Sequence, residues 1–157
     1  MSEDQIDDIL KSLEDVTVNY NLMITEDEED YRYLIEHGFK QVGFSGTINS
    51  TKNGQDLLDY LKYENNYAKA SHPLPDFILL DMRMPKLDGR QTLLQIKGDE
   101  KLRKIPVIIF TANQIEGEDR EMIGLGAEDY IRKPNSSQEL KPTFKAILNH
   151  WLKVISD

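Results

Sequence analysis

Apolar positions along the chain follow two rhythms that alternate. Strand-length apolar runs at residues 20–25, about 47–51, 77–81, 107–111 and 130–132 are each followed by a segment with helical spacing, at 28–37, 55–62, 90–96, 119–125 and 137–154. Five such β-then-α units predict an α/β fold with a parallel sheet and helices on both faces, because parallel neighbours need a crossover connection. The last segment is the most regular, with Phe144, Ile147, Leu148, Trp151, Leu152 and Ile155 on one face. That stripe reads most simply as core, and otherwise as a homodimer surface. Gly38, Gly54, Pro73, Pro75, Pro106 and Pro134 fall where this reading puts loops, while residues 39–46 are either strand or a long connection. Ahead of the first strand, Ile6, Ile9, Leu10 and Leu13 are helically spaced, and Ser2 and Gln5 are placed as a capping box. An acidic amphipathic helix or tail is therefore expected over residues 1–17, with one domain over 18–157.

Composition narrows the function classes. A length of 157 residues suits one domain, and the formal charge of -9 disfavours nucleic acid and anionic membrane as partners. The absence of cysteine excludes disulfides, thiolate metal sites and thiol nucleophiles. No signal-peptide pattern and no long apolar segment is present, so a cytoplasmic protein is expected. His37, His72 and His150 have no ligand spacing, and the acidic run near residue 28 lacks the glycine of a calcium loop.

In an open parallel sheet, ligands bind beyond the carboxyl ends of the strands, so the residues closing each run carry the chemistry. Here they are Glu26-Asp27, Asp81, Thr111 and Lys133. Carboxylates brought together repel one another unless a cation joins them, and an all-oxygen shallow site suits Mg²⁺. An aspartate in that setting can act as a nucleophile toward phosphorus, with the metal, Lys133 and the Thr111 hydroxyl neutralising phosphoryl oxygens. Each residue alone has a plainer reading: helix-end acids, a turn aspartate, a strand threonine, a loop lysine and, at Tyr130, a core aromatic. Their occurrence together at successive strand ends favours a site.

These pieces, Glu26-Asp27, the LLDMRMPKLDG block around Asp81, the IIFTA block holding Thr111 and GAEDYIRKP with Tyr130 and Lys133, resemble the receiver domains of two-component response regulators. The insertion YLKYENNYAKA and the terminal HWLKVISD look like the stand-alone receivers associated with phytochrome-type kinases. The resemblance implies a flavodoxin-like doubly wound sheet of strand order 2-1-3-4-5. It implies that Asp81 accepts phosphate from a histidine kinase phosphohistidine, and that Mg²⁺ is held by Glu26, Asp27, Asp81 and the backbone carbonyl of Arg83. Thr111 and Tyr130 would be a switch pair, Arg83 and Asn113 would tune dephosphorylation, and Lys133 would precede a cis bond to Pro134. The output would be altered protein binding: by the kinase, by an unknown downstream protein, or by a second copy through the fourth and fifth βα units. No small-molecule turnover is expected. Two other classes compete: a receiver-fold scaffold indifferent to phosphate, and a haloacid-dehalogenase-like phosphatase. The latter needs a carboxylate acid/base two residues after its nucleophile, where this chain has Arg83.

Overall fold

The computed structural model describes residues 2–5 and 19–156. Strands β1 (Asn21–Thr25), β2 (Thr47–Thr51), β3 (Phe77–Leu80), β4 (Val107–Thr111) and β5 (Asp129–Arg132) alternate with helices α1 (Glu29–Gln41), α2 (Gly54–Lys62), α3 (Gly89–Gly98), α4 (Glu118–Gly124) and α5 (Ser137–Ser156). All neighbours are parallel and the order is β2-β1-β3-β4-β5, the doubly wound arrangement expected.

Alternation along the strands divides the core in two. Leu22, Ile24, Phe77, Leu79, Ile108 and Phe110 face α1 and α5, while Met23, Ile78, Leu80, Val107 and Ile109 face α2, α3 and α4. Every residue of β3 and β4 is buried, because helices cover both faces. Edge strand β2 is polar and half exposed. Among the described residues, no helix is long and apolar enough to cross a membrane.

Two loop assignments from glycine need correction. Gly38 lies inside α1, where a Cβ would stand 2.3 Å from the Phe144 ring, so its smallness lets α1 and α5 approach. Gly54 is the first residue of α2, following the Asn53 cap whose side chain accepts from the Asp56 amide. Residues 39–46 complete α1 and then connect to β2, with Phe39 and Phe44 both buried. Phe144, Ile147, Leu148 and Trp151 of the α5 stripe are core: Trp151 is 1% exposed and stacks on Phe77 with centroids 4.4 Å apart, which removes these four as a dimer surface, while the Leu152 and Ile155 side chains lie outside the described residues.

The insertion after α2 is clasped rather than loose. The His72 ring stacks on Tyr60 and Tyr63 at centroid distances of 3.7 and 4.6 Å, its Nε2–H donates to the Tyr60 carbonyl, and the Tyr63 hydroxyl donates to the His72 carbonyl. At the amino end, Ser2 and Gln5 form the expected reciprocal capping bonds; the remainder of that predicted helix falls at residues 6–17, outside the described residues.

Gly38→Ala is expected to lower stability by about 1–3 kcal/mol in urea unfolding, through overpacking against Phe144. Gly98→Ala, where a Cβ meets nothing within 4 Å at the end of α3, serves as the control and should change stability by no more than about 0.5 kcal/mol.

Candidate functional site

Backbone bonds set this site before any side chain does. The Glu26 amide donates to the Thr51 carbonyl at 3.1 Å, the Asp81 amide to the Thr25 carbonyl at 3.1 Å, and the Lys133 amide to the Thr111 carbonyl at 2.7 Å. Each bond extends a parallel ladder one residue past a strand, so three charged residues are hung along the carboxyl edge of the sheet.

Lys133 joins the two acids. Its Nζ lies 2.7 Å from Glu26 Oε1 and 3.5 Å from Asp81 Oδ2, with Glu26 2%, Asp81 6% and Lys133 9% exposed. From α1, the Tyr31 ring sits with its centroid 4.6 Å from the ammonium, a cation–π contact in a largely dry setting. Asp27, exposed beside Glu26, completes a group of three carboxylates whose nearest oxygens lie within 4.8 Å of one another. A single ammonium does not balance them. Glu26 is pushed up to about 8, by burial first and by the neighbouring Asp81 next, with Lys133 pulling the other way. Its Oε2 is buried without a hydrogen-bond partner among the described residues. An orphaned carboxylate oxygen in an all-oxygen set short of positive charge fits a small hard cation such as Mg²⁺.

The loop after β3 is folded to present Asp81. The Gly89 amide donates to the Met82 carbonyl at 3.0 Å, and a Cβ at Gly89 would stand 2.6 Å from the Asp81 carbonyl oxygen. Asp88 caps α3, with the Gln91 side chain returning a bond to the Asp88 amide. Lys86, at φ 67°, makes the intervening tight turn.

The other expected residues surround this centre without a hydrogen bond to Asp81 among the described residues. Thr111 is fully buried, and its hydroxyl makes only a 3.5 Å contact to the carbonyl of exposed Asn113. Tyr130 donates to Glu118 at 2.5 Å, and the Arg83 guanidinium also binds Glu118. No cis peptide occurs among the described residues, so the expectation at Lys133–Pro134 is corrected. The trans form is the intrinsic preference of such a bond, and Lys133 makes both ion pairs with it in place. Sequence reasoning missed Glu118 and Tyr31. Glu118 reads as an ordinary acid at a helix start, whereas Tyr31, four residues before Ile35 and eight before Phe39, lies on the inward stripe of α1 and was findable.

The sequence matches the response regulator receiver domain over residues 22–145. The probable methanogenesis regulatory protein FilR2 of Methanothrix harundinacea is 35% identical over 131 residues, covering 83% of each chain. Among solved structures, the phosphorylated cyanobacterial phytochrome response regulator RcpA is similar with a TM-score of 0.78 and 30% identity, covering 87% of this chain and 96% of that one. The Mn²⁺-bound form of response regulator Rcp1 is similar with a TM-score of 0.77 and 26% identity, covering 85% and 94%.

Lys133→Met should cost about 3 kcal/mol or more in denaturant unfolding near pH 8, because it strands buried Glu26 and Asp81 without their ammonium. Much of that loss should return as pH falls and Glu26, whose carboxyl is pushed up by burial, takes up a proton. The Tyr130 phenol is pushed up to about 12, by burial first and by its bond to Glu118 next. A raised phenol stabilises the folded form below its unfolded value and loses that contribution as pH rises between about 10 and 12. Ultraviolet difference titration of wild type against Tyr130→Phe should place this ionisation near 12.

Proposed function

The chain belongs to the response regulator receiver domain family, and from that premise we propose that it is a single-domain response regulator phosphorylated on Asp81 by a sensor histidine kinase. The observation that carries this reading is the meeting of Glu26, Asp27, Asp81 and Lys133 at the carboxyl edge of the sheet. The stand-alone form and a phytochrome-type kinase are proposed from the likeness to RcpA, 96% of whose chain is covered. Because a kinase phosphohistidine is made from ATP, the proposed compartment is the cytoplasm.

In the proposed transfer, an Asp81 carboxylate oxygen forms the new P–O bond as the P–N bond to the donor imidazole breaks, with the electron pair leaving on nitrogen. Lys133, already 3.5 Å from Asp81, donates to a phosphoryl oxygen. Glu26, Asp27, Asp81 and the Arg83 carbonyl are the groups that would hold Mg²⁺, which when bound neutralises phosphoryl charge. The buried Thr111 hydroxyl, held by one long contact, is free to turn toward the phosphoryl group, and Tyr130 moves in response. The surface that changes would be the fourth and fifth βα units, where Ile115 and Ile123 are exposed; a kinase, another protein or a second copy would read it. Phosphatase turnover is disfavoured, since the place of an acid/base is held by Arg83 with its guanidinium on Glu118.

Incubation with a small phosphodonor and Mg²⁺ is expected to add one phosphoryl group by intact mass. The adduct should be base-labile, suppressed by chelator and absent from Asp81→Asn. An adduct that persists in Asp81→Asn, or none in the wild type, would overturn the assignment.

A further inference from the structure

A third buried acid among the described residues, beside Glu26 and Asp81, lies outside the cation site and takes no part in the proposed transfer. Glu118, the first residue of α4, is 6% exposed. Its Oε1 accepts from the Tyr130 hydroxyl at 2.5 Å and from both terminal nitrogens of Arg83 at 3.2 Å, while Oε2 accepts from Arg83 Nη2 at 3.1 Å. One carboxylate therefore ties together the residue two places beyond Asp81, the aromatic of β5 and the amino end of α4.

Besides backbone bonds such as that of the Glu118 amide to the Ile115 carbonyl at 3.0 Å, few side chains hold that end of α4. The helix has seven residues, and Gly117 before it, at φ 82°, provides no side-chain cap. The other ion pair, Arg90 to Glu121, is 40% and 48% exposed, so solvent screens it. Met122 is buried, but Ile115 and Ile123 face solvent, and an open cleft of about 820 Å³ lies between the Met82–Met84 loop and the start of α4. This helix has room to move, and Glu118 is the buried side-chain tie at its amino end.

We propose that Glu118 is a latch, holding Arg83, Tyr130 and α4 together in the unmodified protein and surrendering Arg83 when Asp81 carries a phosphoryl group. The proposal rests on reading Asp81 as the phosphoacceptor. Phosphorylation turns the single negative charge of the Asp81 carboxylate into one of about −2, two residues from Arg83, and a guanidinium binds phosphate as readily as it binds carboxylate. Once Arg83 turns to it, Glu118 is a buried carboxylate held only by a phenol, an arrangement that is relieved when the first turn of α4 carries it toward solvent. Tyr130 then loses its acceptor. Charge at the strand end is thus converted into release of a helix through one side chain, whose role is positioning rather than chemistry.

The test is hydrogen exchange of α4 amides in the full chain, read by mass spectrometry, for wild type, Glu118→Gln and Tyr130→Phe, each with and without phosphodonor and Mg²⁺. In the wild type, phosphorylation should speed exchange over residues 118–125 by about tenfold. Glu118→Gln, which keeps the shape and removes the charge, should exchange rapidly already when unmodified and change less than about twofold on phosphorylation. Tyr130→Phe keeps the ring and the Arg83 pair, and should lie between the two; it covers the case in which Glu118→Gln does not fold. Wild-type protection of α4 in both variants before modification would overturn the latch. Failure of the wild type to take up phosphate would instead overturn the reading of Asp81, while the comparison of unmodified proteins still decides the role of Glu118.

Discussion

One ammonium lets two buried carboxylates stand side by side. Lys133 reaches Glu26 and Asp81 from β5, across β4 and β3, so the site exists only when the whole central sheet is assembled. Helix α1 contributes the Tyr31 ring against the same ammonium, and that ring is positioned by packing against Phe110 in the core below. The charged site and the aromatic core are therefore coupled: what seats α1 also seats Lys133. The acids still outnumber this one cation, and that imbalance is the ground on which a divalent ion is proposed at the sheet edge.

The two faces of the sheet are built from different materials. Against α1 and α5 lie Phe39, Phe44, Phe77, Phe110, Phe144 and Trp151, rigid rings in mutual edge and stacked contact. On the other face, under α2, α3 and α4, the aliphatic core is joined by Met23, Met82, Met84 and Met122, unbranched side chains that repack at low cost. The short helix α4 and its open cleft belong to this softer half. A rigid half that holds the lysine and a compliant half that holds Glu118 give the molecule a fixed side and an adjustable one.

Much of this was legible in the chain because the strands are buried on both faces and read as unbroken apolar runs, as in FILL and VIIFT. Glu26, Asp27, Asp81 and Lys133 stood out because a charge that ends such a run requires a partner. Strand order came from family resemblance rather than periodicity, which is silent on neighbours. Gly38 was misread since glycine usually marks a loop, whereas its reason, the Phe144 ring, lies far along the sequence. Glu118 was invisible for the same cause: its partners are Arg83 and Tyr130, and nothing local distinguishes a buried acid from a solvated one at a helix start.

The ladder bonds of Glu26, Asp81 and Lys133 carry a consequence for folding. A strand such as FILL, apolar on both sides, gains almost nothing in one pairing register over the next, because a slip by one residue still buries only hydrocarbon. Its charged neighbours change that. Asp76, whose carboxylate binds the Asn21 amide, and Asp81 bracket β3, so sliding it in either direction would drag a carboxylate between sheet and helix. Asp81, the proposed phosphoacceptor, therefore also serves with Asp76 as an end stop that aligns a strand whose interior is indifferent to alignment, and a variant that neutralises it should be judged for mispaired strands as well as for lost phosphorylation.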